Sequence, residues 1–408
     1  MRVLFVHQNF PGQFRHLAPA LAQAGHEVHA LAINRRPVPA GVALHLYAPK
    51  VPPGYRPHPL AAEFDAKVIR GEAAAAAMLA LQRSGFTPDL VIANPGWGEA
   101  MFVRDIWPRA RLVCLLEYFY RLQGGDVGFD PEFAPAGPAS GLRLHIKNIS
   151  LLDAMNSMDL GVVPTRWQRD CLPAAFQPKL VEIFDGIDTA AVRPDPQASL
   201  VLPDGTRLQA GDPVVTFVSR NLEPYRGYHV FMRALPSLQR RCPEARVVVV
   251  GADGVSYGAK APEGRTWKEI FLDEVRARID GSRVHFTGAL PYGEYLKLLQ
   301  VSAAHVYLTY PFVLSWSCLE AMSAGCHVVG SATAPVQEFV THGVNGSLVD
   351  FFDVEALAAA VAAAVQARGS DGALRAAARQ TVVDRCDLQR VALPRYREAL
   401  AGLMPGAV

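Results

Sequence analysis

Residues 3–32 read VLFVHQNFPGQFRHLAPALAQAGHEVHALA, and this stretch decides the fold. It begins with an apolar strand at residues 3–6, and a turn at residues 9–12 then leads into a helix. The apolar face of that helix carries Phe14, Leu17 and Leu21. A second apolar strand follows at residues 28–32. Strands that are apolar throughout are typical of parallel sheets covered on both faces, so the stretch predicts a βαβ unit that begins a doubly wound α/β sheet.

The same pattern continues along the chain and predicts a second sheet. Helical segments separate further apolar strands at residues 90–93, 112–116, 160–163 and 180–184. Residues 188–213 are rich in Pro and Gly and predict a small hairpin and a domain linker. Strands then resume at residues 214–218, 246–250, 284–287, 305–308 and 327–329. We therefore predict two Rossmann-like domains with a ligand cleft between the carboxyl ends of their sheets.

Composition excludes several classes of protein. The 408 residues include 40 Lys and Arg against 38 Asp and Glu, and this balance favours neither nucleic acid nor an anionic membrane as a partner. A hydrophobic content of 50% excludes extensive disorder. No apolar run approaches the roughly 20 residues of a spanning helix, so we expect a cytoplasmic protein. The six cysteines lack CxxC spacing, and we expect buried thiols with neither disulfides nor a zinc site.

Two arginines stand in the loop that follows the first strand of the second domain. Arg220 and Arg226 lie six residues apart, and planar guanidinium groups suit a bidentate grip on phosphate oxygens. The loop therefore predicts a diphosphate site. The alternative is a pair of solvated surface arginines in a turn.

The segment at residues 311–327 predicts a second part of the same site. A helix that begins near Ser315 or Trp316 would direct its N–H groups and positive dipole end towards an anion. Glu320 follows one turn later, where a carboxylate can accept two hydrogen bonds from a ribose diol. The alternative for Glu320 is an acid favoured near a helix start by the dipole alone.

Two loops of the first domain follow strands at the edge where ligands bind in α/β folds. Asn94, Trp97 and Glu99 lie in the first loop, and its glycines would allow backbone to approach a ligand closely. Glu117 and Tyr118 end the next strand. Simple packing of the aromatic side chains is the alternative for both loops.

Taken together, these segments resemble the retaining glycosyltransferases of family 4, the glycosyl transferases group 1, which have the GT-B fold of two facing Rossmann-like domains. The resemblance is carried by four pieces in order: residues 163–168 with 184–189, 220–227, 284–288, and 319–325 with Glu338 and 343–346. Residues 5–15 and 94–99 resemble a bacterial branch of that family. The expected domains are residues 1–195 on the acceptor side, 196–385 for the donor, and a final helix at 386–408 that packs back on the first domain.

The resemblance implies a role for each matching residue. Arg220 and Arg226 would bind the diphosphate of a nucleoside-diphosphate sugar, UDP- or GDP-linked, and would act in catalysis. Glu320 would contact the ribose. Glu117 stands where the family often has a histidine near the reacting carbon, and we include it with the catalytic residues. The remaining donor-binding residues would be Gly12, Gly288, Ala289, Leu290, Ser315, Trp316 and Ser317, and the acceptor candidates Asn94, Trp97, Glu99 and Tyr118.

The sequence departs from the family at two points of the donor site. Phe312 occupies the place of the first of two paired glutamates, so the contact of that glutamate with the donor sugar does not carry over. Arg226 replaces the usual lysine, a change that keeps the positive charge.

The expected function is retaining transfer of a hexosyl group to an acceptor hydroxyl, without metal or cofactor. The acceptor would be a glycan, a lipid or a small molecule, and nucleic acid is not expected as a partner. Arg143, His145 and Lys147 are spaced by two, which favours a solvated polar face over a membrane-binding stripe, although a peripheral membrane contact stays open. Two alternatives also stay open: a sugar-nucleotide epimerase or hydrolase of the same fold, and a non-catalytic nucleotide-sugar-binding subunit.

Overall fold

The computed structural model describes residues 1–134 and 139–404. The chain forms two compact units. Unit 1 comprises residues 1–127, 135–186 and 388–408, and unit 2 comprises residues 128–134 and 187–387. The larger part of unit 2 thus starts at Ile187, one residue before the region predicted to join the domains. A separate segment of seven residues, 128–134, also belongs to unit 2.

Unit 1 is built on a seven-stranded parallel sheet with the strand order β3-β2-β1-β4-β5-β6-β7. Its strands are β1 (Arg2–Val6), β2 (Glu27–Ala32), β3 (Val42–Leu46), β4 (Leu90–Ala93), β5 (Arg111–Leu115), β6 (Leu160–Val163) and β7 (Leu180–Glu182). Its helices up to this point are α1 (Leu17–Gln23), α2 (Ala62–Arg83), α3 (Val103–Ile106), α4 (Ala139–Ser157) and α5 (Arg166–Asp170). Val3 pairs with Val28 of β2 and with Leu90 of β4, so β1 is a central strand.

The strand β1 shows why this sheet is covered on both faces. Its side chains alternate between two apolar clusters because successive residues of a strand point to opposite faces. Leu4 and Val6 belong to one cluster, together with Met78, Trp107 and Met155. The other cluster contains Val3, Phe5, Phe14, Leu17 and Tyr396. The continuous apolar run at residues 3–6 is therefore the sequence signature of a strand between two layers of helices.

Unit 2 contains a six-stranded parallel sheet with the order β12-β11-β10-β13-β14-β15, and a separate antiparallel hairpin of β8 and β9. The strands are β8 (Ser199–Val201), β9 (Arg207–Gln209), β10 (Val214–Asn221), β11 (Arg246–Ala252), β12 (Val284–Gly288), β13 (Ala304–Tyr307), β14 (His327–Ser331) and β15 (Ser347–Val349). The hairpin confirms the one predicted from the Pro- and Gly-rich stretch. The helices are α6 (Tyr228–Arg241), α7 (Trp267–Val275), α8 (Tyr292–Val301), α9 (Trp316–Ser323), α10 (Ala334–Gln337), α11 (Val354–Gln366) and α12 (Gly372–Cys386).

The C-terminal segment returns to unit 1. After α12, a π-helical turn at Leu388–Ala392 leads into α13 (Leu393–Leu403). Leu388, Leu393, Tyr396 and Leu400 are buried in the same cluster as Phe5 of β1. The apolar period of this segment thus serves to cover one face of the sheet of unit 1.

Two parallel-sheet Rossmann-like units confirm the predicted fold class. Within the described residues, 1–134 and 139–404, no helix combines the length and apolar character needed to cross a membrane.

Candidate functional site

Unit 2 has a cavity at the carboxyl end of its sheet. The cavity measures about 210 Å³ and lies where β10 and β13 end and α9 begins. This is the edge at which open α/β sheets bind ligands. Its walls include both predicted phosphate-binding arginines and the start of the predicted helix. The lining residues are Phe217, Val218, Ser219, Arg220, Glu223, Arg226, Ser256, Tyr257, Val306, Tyr307, Leu308, Ser315 and Ser317.

Arg226 is held firmly in the cavity wall. It ends a short 3-10 helix at Pro224–Arg226. Its Nη1 atom donates hydrogen bonds to Thr309 Oγ1 at 2.8 Å, to the Val313 carbonyl at 3.1 Å and to the Tyr307 hydroxyl at 3.3 Å. These partners fix the plane of the guanidinium group, so its charge is already oriented before any anion arrives.

Gly227 follows Arg226 and explains the tight turn of this loop. Its φ is +70°, and a Cβ atom there would lie 2.4 Å from Cβ of Leu308. Only glycine fits, because the loop packs directly on the chain that leaves β13. This packing places Arg226 in the wall of the cavity.

Phe312, which the resemblance places at the position of a family glutamate, packs beside Arg226. Its ring is buried and lies 5.1 Å from the ring of Tyr225 and 4.9 Å from that of Tyr257. The guanidinium carbon of Arg226 lies 5.7 Å from the Phe312 ring centre and 5.4 Å from that of Tyr257. Both distances are within the range of cation–π attraction. The Phe312 ring therefore stabilises the positive charge of Arg226.

Arg220 and Glu223 differ in their surroundings. Arg220 is exposed at the end of β10 and lines the cavity. The Glu223 carboxylate is buried and accepts hydrogen bonds from the backbone N–H groups of Ser256 at 3.0 Å, Tyr257 at 3.2 Å and Gly258 at 2.9 Å. Glu223 thus anchors the loop that carries Tyr257 over the cavity.

The start of α9 faces the cavity through serine side chains. Ser315 is the N-cap residue, and its hydroxyl accepts a hydrogen bond from the Ser317 N–H at 3.3 Å. The Ser315 N–H donates to the Tyr307 hydroxyl at 2.7 Å. Trp316 is the first residue of the helix. Since Ser315 and Ser317 both line the cavity, the positive end of the helix dipole is directed at it.

Glu320 lies one turn further along α9 and is buried among tyrosines. Its Oε1 accepts a hydrogen bond from the Tyr292 hydroxyl, and its Oε2 accepts one from the Tyr295 hydroxyl, each at 2.8 Å. Both tyrosines belong to α8. The predicted donor-binding residue Gly288 ends β12, and Ala289 and Leu290 follow it before α8 begins. Gly288 has a φ of +67° with open space at its Cβ position.

Unit 1 has a polar chain at the carboxyl end of its own sheet. The Asn9 N–H donates to Nδ1 of His7 at 3.0 Å, so the His7 proton is on Nε2 and is donated to Gln13 Oε1 at 2.8 Å. Gln13 Nε2 donates to Glu117 Oε1 at 2.6 Å, and Asn94 Nδ2 donates to Glu117 Oε2 at 2.7 Å. Two amide donors from different loops therefore orient the Glu117 carboxylate.

His7 also explains Gly12. The φ of Gly12 is +47°, and a Cβ atom at this position would lie 2.5 Å from Cε1 of His7. Burial lowers the pKa of His7 to about 4, which keeps its ring neutral at physiological pH. Glycine at position 12 is thus required by the close approach of the turn to a buried imidazole.

One cluster in unit 2 has the residue types of a metal site. Single ligand atoms of Asp130, Glu132 and His229 all lie within 4.8 Å of one another. Protein groups already engage both acids: Asp130 Oδ2 is 3.0 Å from His229 Nε2, and Arg233 donates to both oxygens of Glu132 at 2.7 and 2.8 Å. The cluster therefore serves as an internal ion-pair network that anchors residues 128–134 in unit 2.

Comparison with known proteins assigns the family. Residues 24–192 match the model of the glycosyl transferase family 4 group, and residues 203–381 match that of the glycosyl transferases group 1. The chain belongs to this family of glycosyltransferases. The resemblance found in the motifs is thus confirmed.

Individual members of the family resemble the chain at low identity. A GDP-mannose-dependent alpha-(1-6)-phosphatidylinositol monomannoside mannosyltransferase from Mycolicibacterium smegmatis is 28% identical over 53% of this chain and 56% of its own length. The chain thus matches a little over half of that enzyme. A glycogen synthase from Mycobacterium tuberculosis is 27% identical over 98% of this chain and 95% of its own. The solved structure of Anabaena HepE in complex with UDP and glucose superposes with a TM-score of 0.64 at 16% identity, covering 98% of this chain and 100% of that one.

The acceptor candidates of this glycosyltransferase occupy different environments. Trp97 lies against the His7 ring, with the two ring centres 4.9 Å apart. Glu99 and Tyr118 are buried. Glu99 Oε1 accepts from the Tyr47 hydroxyl at 2.8 Å, and burial raises the pKa of its carboxyl. The side chains of these two acceptor candidates are therefore nearly closed to solvent.

Sequence reasoning missed Gln13, His7 and Glu223. Gln13 and His7 lie inside the quoted stretch of sequence, but Glu117, the hydrogen-bond partner of Gln13, is 104 residues away from it. Glu223 stands between the two arginines, and its partners follow 33 to 35 residues later. In the sequence, Glu223 is only a charged residue next to Pro224. That context does not indicate that its carboxylate is buried, so no role could be assigned to it.

Proposed function

We propose that this protein transfers a hexosyl group from a nucleoside-diphosphate sugar to an acceptor hydroxyl with retention of anomeric configuration. One observation carries the proposal: the fixed guanidinium of Arg226 and the start of α9 line the same cavity of unit 2. Both features favour an anion with closely spaced phosphate oxygens. The HepE structure, which contains UDP, has the same fold. The mannosyltransferase and glycogen synthase relatives support a sugar as the group transferred.

In the proposed reaction, the bond between the sugar anomeric carbon and the diphosphate oxygen breaks as the acceptor oxygen bonds to the same face. The sugar passes through an oxocarbenium-like state. The acceptor proton goes to a phosphate oxygen of the leaving group. Negative charge grows on the diphosphate, and Arg226, Arg220 and the α9 start stabilise it. A catalytic role of Glu117, whose carboxylate accepts hydrogen bonds from Gln13 and Asn94 within unit 1, stays a prediction.

The first test is a survey of nucleotide binding. We expect one of UDP, GDP, dTDP and ADP to stabilise the wild-type protein against thermal unfolding, because a ligand at 100 times its dissociation constant adds about 2.7 kcal/mol to the native state. The matching sugar nucleotide is then incubated with the protein, and release of the nucleoside diphosphate is measured with and without candidate acceptors. Absence of any nucleotide-dependent shift contradicts the proposal. Equal donor consumption with and without acceptors favours the hydrolase or epimerase instead.

We also propose that transfer needs no metal ion, because Arg226, Arg220 and a helix start offer positive charge where other enzymes place a divalent cation. We expect nucleotide release in about 10 mM EDTA to stay within about twofold of the untreated rate. The measurement compares EDTA-treated protein with samples to which Mg²⁺ or Mn²⁺ is restored. Loss of activity in EDTA with recovery in Mn²⁺ would show that the arginines are insufficient.

A further inference from the structure

One stretch of unit 1 carries basic residues but no acids. Residues 34–62 contain Arg35, Arg36, Lys50 and Arg56, whereas Asp and Glu are absent from them. All four basic residues are exposed. The near balance of 40 basic and 38 acidic residues over the whole chain therefore conceals a local positive excess.

These cations also lack acidic partners in the folded protein. Within residues 1–134 and 139–404, the side chains of Arg35, Lys50 and Arg56 form no salt bridge and no hydrogen bond. Nη2 of Arg36 donates to the neutral side chain of Asn9, at 3.5 Å from its Oδ1. Their positive charge is therefore available to an anionic partner.

The topology of unit 1 brings the basic residues to one edge of the sheet. Ala32 and Leu46 are register partners at the carboxyl ends of the parallel strands β2 and β3, so the chain segments after both strands begin at the same edge. Asn34 Nδ2 donates to Asn9 Oδ1 at 2.9 Å, and Asn9 follows β1 at that edge. Helix α2 runs from this edge back to the start of β4.

Exposed apolar side chains accompany the cations. Val51 is 60% exposed and stands next to Lys50, and Tyr55 is 46% exposed and stands next to Arg56. The Tyr55 hydroxyl donates to Asp65 Oδ1 at 2.7 Å, which fixes the ring beside the start of α2. Cations next to exposed apolar groups suit the boundary of an anionic membrane, where headgroups pair with the charges and the acyl region accepts the apolar groups. A soluble polyanion would satisfy only the charges.

We propose that this edge of unit 1 is a docking surface for an anionic lipid membrane. The docking surface consists of the four exposed cations and the two apolar side chains beside them: Arg35, Arg36, Lys50, Val51, Tyr55 and Arg56. Binding is peripheral and combines charge attraction with shallow insertion of Val51 and Tyr55. The inference is separate from the proposed function, because no residue of the cavity in unit 2 takes part.

Sedimentation of the full chain with lipid vesicles, without nucleotide, tests the inference. We expect the wild type to bind vesicles with about 30% phosphatidylglycerol in phosphatidylcholine, and to bind pure phosphatidylcholine at least about tenfold more weakly. Raising the salt to about 1 M shortens the Debye length to about 3 Å, so binding to the anionic vesicles should fall steeply. Vesicles of both kinds are titrated to obtain partition coefficients.

Two double variants with equal charge separate this edge from net charge. One basic residue near an anionic surface contributes about fivefold to binding, so Lys50→Gln with Arg56→Gln should lower the partition coefficient by about 10- to 30-fold. The matched control is Arg83→Gln with Arg109→Gln, since these exposed arginines lie at the end of α2 and just before β5, towards the opposite edge. We expect the control to stay within about twofold of the wild type. Circular dichroism checks that each variant is folded.

Val51→Ser distinguishes a membrane from a soluble polyanion. It changes no charge, and we expect it to weaken vesicle binding by about threefold or more and to leave binding of polyphosphate unchanged. Failure of the wild type to bind phosphatidylglycerol vesicles overturns the inference, as does an equal loss in the two double variants. Vesicle binding that is unchanged in Val51→Ser, with tight binding of polyphosphate, also overturns it and identifies a soluble polyanion as the partner.

Discussion

Replacing Arg226 by alanine is expected to slow nucleotide release from the sugar donor by about 10²–10³-fold, the usual cost of removing one oriented donor to a developing negative charge. The reason is geometric. Three acceptors hold Nη1, and the rings of Tyr257 and Phe312 flank the charge, so its orientation requires no reorganisation during the reaction. The measurement is single-turnover release of nucleoside diphosphate from the sugar nucleotide identified by the binding survey.

Two further variants separate charge, geometry and stability. Arg226→Lys keeps the positive charge but lacks the planar guanidinium group. We expect it to release nucleotide about tenfold faster than Arg226→Ala. Arg220→Ala removes an exposed arginine, and we expect a loss of about tenfold or less. Thermal unfolding of each variant is measured in parallel, because Arg226 also supports the turn beside Thr309. A rate for Arg226→Ala within about threefold of wild type, in a folded protein, would exclude the leaving-group role.

The features predicted correctly from the sequence are those governed by local patterns. The run of apolar residues 3–6 predicted β1, since each of its side chains enters one of two cores. The helix start near Ser315 was predicted because a capped helix start has recognisable residues at short spacing, whereas the donor-binding roles of Arg226 and Ser315 stay predictions. The structure brings both to one cavity.

The features that the sequence did not predict depend on partners far away along the chain. Residues 128–134 join unit 2 because Phe129 packs at 5.2 Å from the rings of Phe351 and Phe352, and because Asp130 accepts from the Tyr310 hydroxyl at 2.8 Å. Those partners are at least 180 residues away. Likewise, Glu320 was predicted as a ribose ligand, but its tyrosine partners 25 and 28 residues earlier were not. Hydrophobic periodicity and secondary-structure propensity carry no information on which distant residues come into contact.

Acidification is expected to destabilise both units between pH 6.5 and 4. Burial lowers the pKa of His7 in unit 1 to about 4 and that of His305 in unit 2 to about 3. The unfolded chain binds these protons below its ordinary histidine pKa of about 6.5, whereas the folded chain does not. Stability therefore falls as the pH is lowered through this window, by about 3 kcal/mol for each histidine at pH 4.

His305 allows the clearest test because its surroundings are well defined. It is fully buried on β13, and its Nδ1 lies 2.8 Å from Thr216 Oγ1, whereas in the described part of the chain its Nε2 has no hydrogen-bond partner. Glutamine keeps a polar group for Thr216 but takes up no proton. We therefore expect His305→Gln to have a lower free energy of unfolding in urea at pH 7 than the wild type. We also expect this free energy to decrease less between pH 6.5 and pH 4. His7→Gln is the equivalent variant for unit 1. The expected decrease is caused by desolvation of the His305 imidazole. If the free energy of unfolding of His305→Gln fell with pH as steeply as that of the wild type, other groups would cause the acid sensitivity of unit 2.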